Sequence, residues 1–177
     1  MKNKIPTAFS HLECSKCGIK YSKNEIHNLS PCCTLPLFPR YDLEKTKSVL
    51  RKSDLKNRES TMWRYREMMP VKYEENIISL GEGWTPLVRA NRLGESLGFS
   101  NLYLKNESIN PTGSFKDRGM SAAISKANEL GLKKIAIPTA GNAGGATAAY
   151  TAKAGQEAFI FMPNDTPKAF QVECEQY

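Results

Sequence analysis

Three short apolar runs, "NLYLKNE" (101–107), "KKIAIPT" (133–139) and "EAFIFMP" (157–163), constrain this chain more than any other feature. Each is followed by a stretch of helical composition: "SFKDRGMSAAISKANEL", "NAGGATAAYTAKA", and a third that begins at "TPKAFQVECEQY". Strand and helix in regular alternation predict an α/β fold, a parallel sheet whose strands are joined by crossover helices. Ligands of such sheets bind beyond the carboxyl ends of the strands. Two unusual loops, "NPTGSFKD" and "TAGNAGG", fall at those ends. The last helix reaches Tyr177 with no Gly or Pro to stop it, and three strands make a small sheet, so the expectation is the front part of a longer domain.

The residues before this region differ in texture. Residues 1–42 are rich in Cys, Pro, Ser and Asn without helical periodicity, and predict a small loop-rich module. Residues 43–76 carry Leu43, Val49, Leu50, Leu55, Met62, Trp63 and Met69 among many charges. That pattern predicts a connector of one or two amphipathic helices ended by Pro70. The α/β part then occupies 77–177.

Composition removes several classes of function. No run of about 18 apolar residues is present, and the N-terminus lacks an apolar segment of signal-peptide length, so neither a membrane nor export is expected and the cytoplasm is the expected location. The net charge is +7, but basic residues are interspersed with acids, and no aromatic-interleaved basic stripe appears. Nucleic acid is therefore not an expected partner. Small anions remain compatible with the charge.

The loop "NPTGSFKDRG" (110–119) places a lysine where a helix begins. Ser114 as N-cap with Asp117 three residues on forms a short capping box, and Met120, Ala123 and Ile124 supply the buried stripe that follows. Lys116 then lies in the first turn, where unpaired N–H groups, the helix dipole and nearby Arg118 all disfavour an ammonium. A neutral amine attacks aldehydes; a solvated surface lysine is the plainer alternative. In "PTAGNAGG" the glycines either clear a path to helix N–H groups that hold a carboxylate or phosphate, or serve close helix–sheet packing. The spacing matches neither the dinucleotide nor the Walker pattern.

The head segment contains "ECSKCGIKY", a Cys-x-x-Cys-Gly knuckle of the kind that brings two thiolates to one zinc ion. The later cysteines are adjacent, "SPCCTLP", and Ser30 stands where a regular second knuckle would have a cysteine. Cys14, Cys17 and Cys33 are the candidate metal ligands. Cys32, His27 and His11 compete for the fourth place, adjacent cysteines being awkward on one tetrahedral ion. A degenerate knuckle without metal is the alternative. Cys174, on the last helix, reads as a buried small residue.

Three collinear motifs, "LGEGWTPL" (80–87), "LKNESINPTGSFKDRG" (104–119) and "TAGNAGGATAAY" (139–150), resemble the threonine synthase group of the pyridoxal-phosphate enzymes that share the tryptophan synthase β-subunit fold. The resemblance covers roughly 77–177, and more loosely the Cys-x-x-Cys-Gly head and "RYDL". It implies pyridoxal 5'-phosphate as cofactor, with Lys116 joining its aldehyde and shuttling protons. It matches Asn142 to the donor for the pyridoxal 3' oxygen, Phe115 to the cofactor wall, and Thr139, Gly141 and Ala143 to the loop that receives a substrate carboxylate. Gly81 to Thr85 matches an access loop on the substrate side. The reaction it implies turns O-phospho-L-homoserine and water into L-threonine and phosphate, so the expected partner is a small amino-acid phosphate. Lys105 and Arg118 are charges available to such a substrate. Zinc is a candidate second cofactor and a homodimer a candidate assembly. In the family, the loop for the cofactor phosphate and the hydroxyl for the pyridine nitrogen come from later residues, and no second glycine loop follows Gly145 here. A cysteate synthase, a serine or threonine dehydratase, or a non-catalytic protein on the same fold remain alternatives.

Overall fold

The computed structural model describes residues 3–177. The chain forms two compact units: one runs to Glu59 and includes Trp63–Ile78 and Ala122–Lys133, the other comprises Ser60–Met62, Ser79–Ser121 and Lys134–Tyr177.

In the first unit, β1 (Phe9–Cys14) is the centre of an antiparallel three-stranded sheet, flanked by β2 (Lys20–Tyr21) and β3 (Leu37–Tyr41). A register shift between Phe9 and His11 bulges the β1–β3 pairing. Helix α1 (Leu43–Val49) is capped by Asp42, whose carboxylate accepts from the Lys45 N–H at 2.9 Å. Of the one or two amphipathic helices expected over 43–76, α1 is the single α-helical stretch. Lys52–Asn57, Met62–Met68 and Glu74–Asn76 are 3-10 turns instead. Local side chains divert the backbone: the Asp54 carboxylate accepts from Arg51 N–H at 3.0 Å, and Arg58 reaches forward to Glu67 with paired bonds of 2.7 and 2.8 Å. Glu67 is buried, as are Ile5, Phe9, Trp63, Val71, Ile124 and Ala127, so an ion pair sits among the core side chains of this unit.

The second unit contains two small sheets. Strand β4 (Leu87–Arg89) pairs antiparallel with β5 (Tyr103–Lys105) around helix α2 (Asn91–Leu97). Strands β6 (Lys134–Pro138) and β7 (Glu157–Phe161) pair in parallel through the crossover helix α4 (Asn142–Ala154), with α5 (Lys168–Gln176) after β7. The α/β class and the β6–α4–β7 crossover are those expected. The single parallel sheet of three strands is not: β5 takes β4 as its partner, a strand too short to stand out in the sequence.

Helix α3 (Lys116–Glu129) has its first residues, to Ser121, in the second unit and the remainder in the first. Its buried stripe is Asp117, Ser121, Ile124 and Ser125, while Ala123 is exposed, so the stripe is more polar than Met120, Ala123 and Ile124 had suggested. Helix α4 is buried without interruption from Gly144 to Thr151, and its Tyr150 is fully enclosed. Such a run, made of Gly, Ala, Thr and one Tyr, allows neighbours to approach the helix closely. Among the described residues, no helix is long and apolar enough to cross a membrane.

Candidate active site

The lysine loop is built on side-chain hydrogen bonds. Strand β5 ends at Lys105; the Oδ1 of Asn106, next in sequence, accepts from the Ser108 N–H and hydroxyl, and Gly113 closes the following turn with φ +71° and an N–H bond to Asn110 O of 2.8 Å. Ser114 is buried and accepts from the Lys116 N–H at 3.2 Å, but α3 starts at Lys116, so Phe115 rather than Ser114 stands at the cap position and its carbonyl accepts from the Arg118 N–H at 3.2 Å. Asp117 does not complete a reciprocal box with Ser114. Fully buried, it turns back and accepts from both the backbone N–H and the hydroxyl of Thr112.

Lys116 itself is half-buried, and its Nζ lies 4.5 Å from the centre of the Phe115 ring, which is exposed. A cation over a ring face gains modestly at an exposed site. Among the described residues, no carboxylate pairs with this amine. The neighbouring cations are committed. Arg118 bonds Glu107 at 2.7 and 2.9 Å and Thr85 Oγ1 at 3.2 Å, and the Lys105 ammonium donates to the Thr85 carbonyl. Neither is an unattached charge waiting for a substrate, as the sequence had suggested.

Glu107 is the junction of this network. Besides Arg118 it accepts from Thr85 Oγ1 at 2.5 Å and from Asn110 Nδ2 at 3.0 Å, and Asn110 Oδ1 in turn accepts from the Gly83 N–H at 3.1 Å. The Arg118 guanidinium, with Thr85 and Asn110 assisting, holds its carboxyl down to about 2. The "LGEGWTPL" segment is thereby tied to the lysine loop. A second tie is Glu82, fully buried, which accepts from the Leu80 N–H at 2.9 Å, the Ser79 hydroxyl at 3.1 Å and the Tyr150 hydroxyl of α4 at 2.7 Å. Burial first, and then the Glu82 carboxylate, push the Tyr150 phenol above its usual range. Between these two anchors, Gly83 has φ +100°, and a Cβ there would lie 2.6 Å from the Met62 backbone nitrogen. Trp84, next in sequence, is exposed with φ +52°.

The glycine loop divides in two. Gly144 and Gly145 are buried by packing: a Cβ on Gly144 would meet Met162 at 2.6 Å, and one on Gly145 would run into the Glu173 carboxylate. Thr139, Gly141 and Ala143 are half-buried and Asn142 is exposed at the first position of α4. Thr139 Oγ1 accepts from the Gly141 N–H at 3.2 Å and so shapes the turn. Of the first-turn N–H groups of α4, that of Gly144 is taken by Gly141 O at 2.9 Å, which leaves those of Asn142 and Ala143 to suit an anion. Helices α3 and α4 meet where Thr147 Oγ1 bonds Met120 Sδ at 3.2 Å, about one turn in from Lys116 and from Ala143.

In the head, the Sγ atoms of Cys14, Cys17, Cys32 and Cys33 all lie within 4.8 Å of one another. Cys14, Cys17 and Cys33 were expected together. Cys32 joins them, although it is next to Cys33 in sequence. Cys174 is half-buried and lies over Gly144.

The family described as "Pyridoxal-phosphate dependent enzyme" matches residues 78–177. The chain belongs to this family. Among curated proteins it is 45% identical over 150 residues to the threonine synthase of Methanocaldococcus jannaschii, covering 85% of this chain and 37% of that protein. It is 40% identical over 153 residues to the threonine synthase of Methanosarcina acetivorans, covering 86% and 37%. The chain thus spans little more than a third of the length of these relatives. A solved structure of a processed threonine deaminase isoform 2 from Solanum lycopersicum aligns with 52% of this chain and 25% of its own, at 30% identity and a TM-score of 0.47. Family membership fits the chemistry of the residues present, a primary amine with no carboxylate partner among the described residues and a helix start whose first two N–H groups lack an intrahelical acceptor. The buried carboxylate of Glu82 and the half-buried one of Glu107 escaped sequence reading; the one available signal was a glutamate enclosed by glycines in "GEGW".

Proposed function

We propose that the chain is the lysine-bearing part of a threonine synthase, which converts O-phospho-L-homoserine and water to L-threonine and phosphate. The observation that carries the reading is Lys116. In a loop whose other cations, Lys105 and Arg118, are hydrogen-bonded to Thr85 and Glu107, this one amine rests on an aromatic face and, among the described residues, has no carboxylate partner. When bound, pyridoxal phosphate supplies an aldehyde for that amine and a ring that takes up the electron pair left by a broken bond. Lys116 would hold the aldehyde and move the proton at the substrate Cα. Phe115 would wall the ring, Asn142 would donate to its 3' oxygen, and the loop of Thr139, Gly141 and Ala143 would receive the substrate carboxylate. Glu107 and Glu82 fix the "GEGWT" segment that lines the approach.

The organisation that accompanies this reading is a zinc-ribbon-like module over 1–42, a connector over 43–76, and from 77 onward the N-terminal part of the cofactor-binding α/β domain. The working location is the cytoplasm.

Two measurements test the assignment. Treatment with pyridoxal phosphate and borohydride should fix one pyridoxyl group on the peptide containing Lys116, seen by mass spectrometry, and none there in Lys116→Ala. Labelling confined to other lysines refutes the role of Lys116. With the native gene product, phosphate release from O-phosphohomoserine should be matched by threonine. Formation of a 2-oxo acid from serine or threonine, without phosphate release, would assign a dehydratase instead.

A further inference from the structure

The head poses a problem of stability that its own side chains do not solve. Around the three-stranded sheet Ile19, Ile26, Leu29, Leu35 and Phe38 are all exposed, while Cys14 and Ser30 are buried. A module of this size that buries Ile5, Ala8 and Phe9 but leaves these five apolar residues outside needs a staple to supplement so small a core. We infer that Cys14, Cys17, Cys32 and Cys33 together hold one thiophilic divalent ion, zinc or ferrous iron, in a four-thiolate site. The inference rests on the zinc-ribbon-like reading of the head and adds to it the complete ligand set.

The backbone shows why the adjacent pair can serve. Consecutive residues of an extended strand point to opposite faces, but in a helical turn they diverge by only about 100°. Cys32 and Cys33 lie within such a turn, closed by the Thr34 N–H bond to Ser30 O at 2.8 Å and ended by Thr34 at φ +53°. The Ser30 N–H bond to Leu35 O, also 2.8 Å, fastens the base of the loop. On the opposite side is the knuckle: Gly18 has φ +76°, its N–H bonds Cys14 O at 3.1 Å, and Cys14 N–H bonds Ile19 O at 2.9 Å.

The two loops bring the sulfurs to ligand separation. Zn–S bonds of about 2.3 Å in a tetrahedron put sulfurs about 3.8 Å apart. The observed limit of 4.8 Å, with Cys17 and Cys32 at 3.3 Å, closes on that value by small side-chain rotations. The competing ligands are turned elsewhere. His27 Nε2 is bonded to Ser22 O at 3.1 Å, and His11 Nε2 faces Glu13 at 3.7 Å. Ser30, at the position where a regular second knuckle has its cysteine, does not ligate. Its hydroxyl accepts from the Leu35 N–H at 3.1 Å and from the Cys14 thiol at 3.3 Å, and so orients a ligand from outside. Loading is a proton exchange: four thiols and one divalent ion give a dianionic tetrathiolate and four protons. Four sulfur donors with no oxygen select zinc or ferrous iron over magnesium or calcium.

The full chain, purified under reducing conditions without chelator, should carry one equivalent of zinc or iron by elemental analysis. A colourless product identifies zinc, and a colour that changes with oxidation identifies iron. Replacement by cobalt(II) should give the visible spectrum of a tetrahedral four-sulfur site. Cys32→Ser and Cys33→Ser should each weaken cobalt binding by at least about 100-fold, beyond what loss of an outer partner alone costs, and shift the spectrum. His27→Ala, His11→Ala and Cys174→Ser should leave both unchanged. If the unaltered chain takes up neither zinc, iron nor cobalt, the ribbon reading and the four-thiolate site fail together. If Cys32→Ser keeps the affinity and spectrum while Cys33→Ser or a histidine variant loses them, the ribbon reading stands and the four-thiolate set is overturned.

Discussion

Helix α4 and the cysteine head are held by different means. The helix buries eight consecutive residues, Gly144 to Thr151, and draws on close contact along its whole length. The head buries few side chains and relies on turns, sheet pairing and four clustered sulfurs. Burial is distributed, so losing one contact costs a fraction of it. A staple is concentrated, so losing one ligand removes most of its effect. The two regions should therefore answer to different perturbations.

The largest predicted effect is removal of the ion. Addition of a strong chelator, or Cys14→Ser, should raise amide hydrogen exchange through Phe9–Tyr41 to near that of an open chain, while α4 amides remain protected. Equal loss of protection in both would break the distinction. Next is Gly83→Ala, which meets the Met62 backbone at 2.6 Å in a left-handed conformation. It should cost at least about 2 kcal/mol in denaturant unfolding, with metal content unchanged. Tyr150→Phe leaves buried Glu82 with one donor fewer and should cost about 1–3 kcal/mol, again without touching the head.

Acid should act on the Glu107 network. Its folded-state carboxyl, near 2, lies below the unfolded value of about 4.3. The stabilisation is therefore complete above that unfolded value and is lost as pH falls toward 2. Melting temperature followed from pH 5 to 2 should show a slope that Glu107→Gln reduces, while His11→Ala in the head does not. The smallest effect belongs to the Lys134–Glu157 pair, whose side chains are 67% and 61% exposed; Lys134→Ala should change stability by less than about 0.5 kcal/mol.

Legibility followed the range of the forces. Strands β6 and β7 and helices α3 and α4 were visible because their apolar patterns and glycines are local. Strand β4 and helix α2 were missed: "LVR" is short, and Gly94 weakens the helical pattern although it is there for a close approach, its Cβ position lying 2.6 Å from Phe99 O. The partner of β5 is a non-local choice that no run of residues announces. In the candidate site, the helix start was readable to within a residue, at Lys116 rather than directly after Ser114, but Asp117 turned to Thr112 because a buried carboxylate takes whichever donors enclose it. Glu82, Glu107 and Glu67 ran against the default that acids face water, a default that fails where hydroxyl, amide or guanidinium donors converge. Cys32 was left competing with His27 and His11 because adjacent cysteines are awkward on one tetrahedral ion, and the turn that ends at Thr34 eases that difficulty.

The hold of Asp117 on Thr112 has a consequence for Lys116. It clamps the root of the lysine to its loop, while the four methylenes beyond remain unpinned save for the ring beneath. A stiff mount with a long tether gives the nitrogen at its end a wide sweep from a fixed base. Reach, rather than rearrangement, is what this corner of the protein offers.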